Sequence, residues 1–480
     1  MHNLFDSGVT QDIPAVLANR DKRVFVQNKL LSQYPSEVVI GAKLNTPGPI
    51  KNNDIIEDFF VKQLDSFEDY LLESGIVFFK NTEWLDAATG PERFYVLEDS
   101  ALNIKKITTE FEESKPYRRL FDLDVLFLDE ENDDVTKSIS RTEIGYQQRK
   151  CLICGRPAKD CGRSRRHSVE ELQAKVSELV GQAMKLTSKK EKAKLLVTNA
   201  LRALTYEVTA WPKPGLVDPV EWGAHPDMDV FMFLDSSISM QNYLRKCAWA
   251  GLNCQTDTDY RDIFREIREF GKIAEKDMFN ATNGVNTHKG AVFSLGVLVA
   301  AVGINIGKDS SFDEDNIRDN VVKMLRELVK KDYGKLKSDG SSDLTAGERQ
   351  YLQYGTKGIR GEAAAGYPVV FDHGLPVFLS TSGSMNQRAI TTLMRLALYT
   401  EDSTLIKRAG SMDVIEWKNK RINEFFDRGG LTTDEGREVL NNIQTEFSDR
   451  HLSLGGTADL LIVTIFLGLT KEALVNGNNH

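Results

Sequence analysis

The chain has 480 residues, with 61 Lys and Arg against 70 Asp and Glu and a net charge of −9. That length exceeds one ordinary core, so two or three domains are expected, and 41% hydrophobic with 27% charged residues is the balance of a soluble globular protein. The acidic surplus excludes general nucleic-acid binding, which needs a basic footprint, so any anion site must be a local basic cluster. The N-terminus lacks the basic and apolar regions of a signal peptide. The longest apolar stretch, Leu460 to Leu469, is too short to span a bilayer. The 5 cysteines are unevenly placed and make no disulfide framework, so a reducing cytoplasm is the expected compartment.

Up to about residue 180 the pattern predicts mixed α and β. Asp12 to Leu31 is amphipathic and helical, Val38 to Leu44 is strand-like, and Asn45-Thr-Pro-Gly-Pro-Ile-Lys51 is a turn-rich loop ending in a cation. Ile55 to Ser74 has helical spacing, Ile76 to Phe79 and Glu92 to Leu97 are strand-like, and Leu102 to Glu112 is again helical. Leu120 to Leu128 reads as a strand in which polar and apolar residues alternate. Side chains two apart share a strand face, so Asp122 and Asp124 point the same way. Two such carboxylates suit a Mg²⁺ clamp for nucleotidyl transfer, or they are ordinary solvated acids.

Cys151-Leu-Ile-Cys154-Gly-Arg-Pro-Ala-Lys-Asp-Cys161-Gly-Arg-Ser-Arg-Arg-His167-Ser is the densest phrase in the chain. Arg163, Arg165, Arg166 and His167 could cradle a polyphosphate, since guanidinium forks match phosphate oxygens; a basic surface patch is the alternative. The thiols at Cys151, Cys154 and Cys161 have zinc-like spacing, but His167 could equally serve phosphate and no fourth ligand is secured. Buried free thiols are the favoured reading. Val169 to Leu186 is a polar helix, and the charge run from Ser188 reads as a solvated joint, which puts the domain boundary near residue 187.

Beyond the boundary the period is helical nearly everywhere, so residues 188–480 should be mainly α. Leu196, Ala200, Ala203, Leu204 and Glu207 fall on one stripe, and an acid on a buried face needs an ion-pair partner or a metal. Trp211-Pro-Lys213-Pro-Gly ends that helix. Gly223-Ala-His225-Pro-Asp227-Met-Asp229 brings a histidine and two acids, either a divalent-ion clamp or a polar turn. Gly284-Val-Asn286-Thr-His288-Lys289-Gly290 leads into an apolar helix, where a helix N-terminus with Lys and His is a natural anion seat or an ordinary capped start. The stripe of Ile317, Val321, Met324, Leu325 and Leu328 is one further helix; Thr391 to Thr400 and Ala458 to Leu469 are others. Gly303 to Phe312 and Ser338 to Leu344 read as loops. Gly355 to Pro368, with Arg360 and Glu362, reads as a glycine-rich loop that matches no Walker or Rossmann pattern.

Two resemblances follow from these phrases. Residues from about 10 to 175 resemble holo-citrate lyase synthase, the apo-citrate lyase phosphoribosyl-dephospho-CoA transferase. The carriers are Leu44 to Lys51, Arg119-Leu-Phe-Asp-Leu-Asp-Val125, Ser140-Arg141 and the Cys151 to Ser168 phrase. Arg118 departs from the family pattern, where Gly is usual. Residues from about 190 to 470 resemble triphosphoribosyl-dephospho-CoA synthase, through Glu207 to Asp218, Gly284 to Gly290 and Gly355 to Pro368, and more weakly through Gly455-Gly-Thr-Ala-Asp459, where Leu454 replaces an expected Pro.

The resemblances imply an α+β, nucleotidyltransferase-like domain over 1–187, a mainly-α domain over 188–480, and two reactions in series. In the first, ATP and 3′-dephospho-CoA would give a triphosphoribosyl-dephospho-CoA and adenine. Lys213, His225, Asn286, His288, Lys289 and Arg360 would bind substrate, Asp227 and Asp229 would hold Mg²⁺, and Glu207 or Glu362 would be the base. In the second, a serine of the acyl-carrier (gamma) subunit of citrate lyase would take the group with loss of pyrophosphate. There Asp122 and Asp124 would hold Mg²⁺, one of them also serving as base, while Lys51, Arg119, Arg163, Arg165, Arg166 and His167 would bind phosphate. A malonate decarboxylase carrier as acceptor and a non-catalytic nucleotide- or CoA-binding regulator are the competing readings.

Overall fold

The computed structural model describes residues 3–129, 135–308, 311–326 and 358–477. They form two compact units, Met1–Ser188 and Lys189–His480.

The first unit is built on a five-stranded sheet. In chain order its elements are α1 (Ile13–Gln33), β1 (Val38–Leu44), α2 (Asp54–Glu73), β2 (Val77–Trp84), β3 (Glu92–Glu98), α3 (Ala101–Glu113), β4 (Phe121–Asp129), β5 (Val135–Ser138) and the short α4 (Ala158–Arg163). The strand order is β2-β3-β1-β4-β5, with every neighbouring pair antiparallel. Alternation fixes the two faces. Phe121, Leu123 and Val125 of β4 pack into a core with Phe59, Phe60 and Phe67 of α2 and Phe111 of α3. The opposite face carries a smaller cluster in which Leu30 and Leu31 of α1 cover Val39, Phe94 and Val96. A small antiparallel sheet with helices agrees with the α+β expectation for this half.

The pairing of β5 is short. It covers only Leu126 to Asp129 of β4, so the first half of β4 has a bare edge. Side chains of α3 satisfy it: Glu112 accepts the Leu123 amide (3.0 Å) and the Lys105 ammonium donates to the Leu123 carbonyl (3.4 Å).

The charge run that reads as a joint is instead the middle of one helix, α5 (Val169–Thr209). The physical reason is local. Residues 182–209 contain no Gly or Pro, and Lys, Glu, Ala and Leu are strong helix formers. Residues of α5 up to Ala183 pack in the first core, and Ala193, Leu196, Ala200, Ala203 and Leu204 pack in the second.

The second unit is helical, and among its described residues no strand occurs. After α5 come α6 (Val230–Ser239), α7 (Gln241–Leu252), α8 (Tyr260–Ala281), α9 (Lys289–Lys308), α10 (Glu314–Leu325), α11 (Gly358–Ala364), α12 (Leu375–Ser380), α13 (Met385–Tyr399), α14 (Ser403–Ala409), α15 (Asp413–Asp427), α16 (Asp434–Asp449) and α17 (Gly455–Gly477). Helix α9 is the centre of the core, packed against α7, α8, α10 and α17. Among the described residues it is the one helix long and apolar enough to cross a membrane, and most of it is buried inside the protein. It is longer than the Leu460 to Leu469 stretch, and Ser294, Gly296 and Gly303 break up its apolar run in the sequence.

Gly303 to Lys308, expected in a loop, are the last turns of α9. The glycine serves helix packing: a Cβ there would meet the Ala248 carbonyl at 3.1 Å and Gly251 Cα at 3.2 Å. Gly358 to Ala364, also expected in a loop, is the short helix α11. Leu328, Ser338 to Leu344 and Gly355 to Lys357 lie outside the described residues.

Candidate active sites

In the first unit, strand register builds the site. Lys43 of β1 lies directly opposite Asp122, and Gly41 opposite Asp124, so Lys43, Asp122 and Asp124 share one face. The Lys43 ammonium contacts both carboxylates, at 2.7 Å from Asp122 Oδ2 and closer still to Asp124. Arg149 completes the cluster, 2.6 Å from buried Glu112 and 3.7 Å from Asp122 Oδ1. Burial opposes ionisation of Asp122, but Lys43, Arg149 and Lys105 outweigh it and hold its pKa below the usual carboxylate range. Burial raises the Glu112 pKa even against the pull of Arg149.

A cavity of about 1180 Å³ opens over these groups. Asp122, Asp124, Arg119, Arg165 and His167 line it, as do Lys105, Glu112, Arg141 and Arg149. Arg119 donates to the Lys150 carbonyl at 2.6 Å, which ties the strand entrance to the following segment. Lys51, Arg163 and Arg166 do not line it. The Lys51 ammonium instead donates to the Thr46 carbonyl of its own loop (2.6 Å), and burial lowers its pKa. Arg118, the departure from the family pattern, lies over the Phe111 ring and donates to Ser114, outside the cavity lining. Sequence reasoning missed Lys43, Lys105, Glu112 and Arg149. Only Lys43 had a signal, as a cation on a strand, and its partner depends on cross-strand register. The three thiols and His167 meet beside this cavity, with their donor atoms within 4.8 Å of one another.

In the second unit, a cavity of about 1030 Å³ is lined by Glu207, His225, Asn286, His288, Lys289 and Glu362 of the expected residues, and also by Asp402, Lys407, Arg408 and Asp459. Glu207 is buried at the end of α5, paired with the Lys213 ammonium at 2.6 Å. That ammonium also donates to the Glu207 carbonyl (2.6 Å), so Lys213 is engaged beneath the cavity and does not line it. His288 is buried at the start of α9. Its Nδ1 lies 2.7 Å from Ser236 Oγ, which accepts the Thr287 hydroxyl at 2.8 Å. That order makes Ser236 the donor to Nδ1 and leaves a proton on His288 Nε2, an assignment from the hydrogen-bond pattern. Burial, then the charge of Lys213, pushes the His288 pKa down to about 3, so the ring is neutral.

Asp459, near the start of α17, is half-buried in the cavity wall, and desolvation reinforced by Glu207 and Asp402 pushes its pKa up to about 8. Asp402 caps α14 through the Thr404 and Leu405 amides and reaches α17 through Thr457 at 2.7 and 2.8 Å. Glu362 is half-buried and accepts the Val369 amide (2.6 Å); burial raises its pKa. Arg408 Nη2 lies 3.3 Å from His225 Nδ1, and the His225 pKa is lowered by burial and then by Arg408. Asp227, Asp229 and Arg360 do not line the cavity. Asp229 caps α6, accepting the Met232 amide at 2.8 Å. Asp459 was legible only as a helix-start acid, Asp402 only as an N-cap, and Lys407 with Arg408 only as an ordinary C-terminal dipole match.

Gly290 gives a direct test of this packing. A Cβ there would fall 1.9 Å from Asp459 Oδ2. Gly290→Ala should therefore destabilise the protein by about 2 kcal/mol in urea unfolding, within the range for overpacked cores.

Comparison with known proteins agrees with this division. Residues 193–478 match the family model of ATP:dephospho-CoA triphosphoribosyl transferase. Residues 11–183 match that of apo-citrate lyase phosphoribosyl-dephospho-CoA transferase. Protein CitXG of Leuconostoc mesenteroides subsp. cremoris is 40% identical over 96% of this chain and 98% of its own length. Protein CitXG of Haemophilus influenzae is 31% identical over 95% of each chain. A probable 2-(5′′-triphosphoribosyl)-3′-dephosphocoenzyme-A synthase of Lactiplantibacillus plantarum is 48% identical over 58% of this chain and 99% of its own. With both family models and full-length fused relatives matched, this chain belongs to the family that joins an apo-citrate lyase phosphoribosyl-dephospho-CoA transferase to an ATP:dephospho-CoA triphosphoribosyl transferase in one polypeptide.

Proposed function

We propose that the two cavities serve the two successive reactions of this bifunctional transferase, which builds the citrate lyase prosthetic group and attaches it. The observation that carries the assignment is that each matched region holds its own large cavity lined by buried carboxylates and by cations. Residues 189–480 join ATP to 3′-dephospho-CoA. The 2′-hydroxyl of dephospho-CoA forms a bond to C1′ of the ATP ribose, the bond to adenine breaks, and the triphosphate stays on the new ribosyl group. Such a displacement develops positive charge at the anomeric carbon. Glu207, held in place by Lys213, suits the base that takes the hydroxyl proton. Asp459 with a pKa of about 8 is protonated at neutral pH and suits the acid for departing adenine. Glu362 is the second carboxylate in reach of that role. Lys289, Lys407 and Arg408 are placed to neutralise the triphosphate, with His225, His288 Nε2 and Asn286 as neutral hydrogen-bonding groups.

Residues 1–188 then carry out the transfer, on a fold we read as nucleotidyltransferase-like. The serine hydroxyl of the citrate lyase acyl-carrier subunit attacks the α-phosphorus, the bond to the leaving pyrophosphate breaks, and the serine proton passes to a carboxylate. Asp122 and Asp124, two acids on one strand face, are the donor set for Mg²⁺, which would supply charge neutralisation at the triphosphate. Arg119, Arg149 and Arg165 stand ready for the pyrophosphate. In the second unit Asp227 and Asp229 lie outside the cavity lining, so the carboxylates placed to act there are Glu207, Glu362, Asp402 and Asp459. The reactants are soluble, which accords with a cytoplasmic enzyme.

The test is intact-mass spectrometry of the apo-carrier after incubation with the protein, ATP, dephospho-CoA and Mg²⁺. A gain equal to the whole prosthetic group is expected on the citrate lyase carrier. A gain seen only on the malonate decarboxylase carrier would reassign the acceptor, and no adenine release would refute catalysis in the second unit.

A further inference from the structure

We propose that Cys151, Cys154, Cys161 and His167 bind one structural zinc ion, which fastens the segment carrying Arg149 and Arg165 over the first cavity. The inference rests on geometry alone and is independent of the reaction assigned to either unit. The donor atoms of the four side chains lie within 4.8 Å of one another. The Cys154 and Cys161 sulfurs are 3.8 Å apart. A disulfide would need about 2.0 Å. Two thiolates on one tetrahedral zinc, each at about 2.3 Å from the metal, stand about 3.8 Å apart.

The backbone around the thiols is folded for the same purpose. Residues 149–158 make a narrow hairpin, closed by the Cys151 amide donating to Arg156 O (2.6 Å) and the Ala158 amide to Arg149 O (2.8 Å). Cys151 and Cys154 sit in its turn, where the Ile153 amide points at Cys151 Sγ (3.5 Å) and Gly155 takes a left-handed φ of 69°. Amides aimed at sulfur stabilise thiolate rather than thiol. Helix α4 supplies Cys161. The chain then turns back through Arg165, itself at a left-handed φ of 45°, to deliver His167.

His167 supplies the independent observation. Its Nε2 is buried with no hydrogen-bond partner, while Nδ1 faces Glu171 at 3.8 Å. An unpaired imidazole nitrogen in a protein interior is costly unless something binds it. A carboxylate behind the ring is the usual arrangement that orients a zinc-bound histidine. Three sulfurs and one nitrogen with no open position are the donor set of a structural site. On this reading His167 is a metal ligand and does not touch phosphate, and the favoured free-thiol reading of the sequence is replaced.

The test is elemental analysis of the full-length protein purified without chelator, together with thiol titration by Ellman's reagent. About one zinc per chain is expected, with Cys151, Cys154 and Cys161 unreactive until the ion is stripped. Cobalt substitution should give thiolate charge-transfer and tetrahedral ligand-field bands. Cys154→Ser/Cys161→Ser should lower the zinc content at least about tenfold, and His167→Cys should keep the zinc that His167→Ala weakens. Metal-free wild-type protein with all three thiols freely reactive would overturn the proposal, and this outcome needs no variant to fold. Zinc retained at full stoichiometry in the double variant, or iron in place of zinc, would overturn it as well.

Discussion

Replacing Asp122 by Asn should lower transfer of the prosthetic group to the apo-carrier by about 10³-fold while adenine release from ATP and dephospho-CoA stays at its wild-type rate. The argument is electrostatic. Asp122 lies among Lys43, Arg149 and Lys105, which hold it ionised. An amide of the same shape removes the negative charge, and with it a ligand for the cation and a site for the serine proton. It also leaves Lys43 with Asp124 alone. Under the proposed assignment adenine release belongs to the cavity of the other unit and should not respond. Supplying chemically prepared triphosphoribosyl-dephospho-CoA separates the steps, and carrier mass reads the result. Equal loss of both activities in a normally folded protein would refute the two-site assignment.

Asp459→Asn should produce the converse, with adenine release reduced by at least about 10²-fold and transfer of prepared substrate intact. The same substitution reports on stability. The Asp459 pKa is about 8 in the folded chain against 3.8 for an ordinary Asp. Between those values the folded state keeps a proton that the unfolded state has lost. Stability is therefore complete below about pH 4, falls as pH rises toward 8, and levels off beyond it. Asn carries no such titration. Asp459→Asn should melt about 5 °C higher than wild type at pH 8.5 and at nearly the same temperature at pH 4. A melting difference independent of pH would remove Asp459 from the role of proton-holding acid.

Much of the first site was readable because strands encode faces directly. Alternation in β4 places Asp122 and Asp124 on one face, and both line one cavity. What alternation does not encode is register, so Lys43, fixed opposite Asp122 only by β1–β4 pairing, went unseen. Lys51 and Lys213 show a different limit. A lysine near a predicted site was read as a phosphate ligand, yet each ammonium is engaged locally, with the Thr46 carbonyl and with Glu207. In the helical unit, cavity-lining groups come from the ends of α5, α9, α14 and α17, far apart in the chain. Asp402, Arg408 and Asp459 look like common capping and dipole residues until packing gathers them. The division into units does fall at Ser188, but the charge run there is helix and not a loop linker for a simpler reason: charged residues with high helix propensity extend a helix as readily as they solvate a linker.

The ammonium of Lys43 bridging Asp122 and Asp124 has a thermodynamic consequence for how this enzyme loads. On the proposed assignment, a divalent ion arriving alone would meet a covalently tethered rival already seated between the two acids, one that dilution cannot remove. Eviction would then be favoured by a substrate whose polyphosphate oxygens offer both the ion and the displaced ammonium new partners. If Asp122 and Asp124 hold magnesium as proposed, the resting enzyme should bind it weakly, and metal and nucleotide arm should be taken up together.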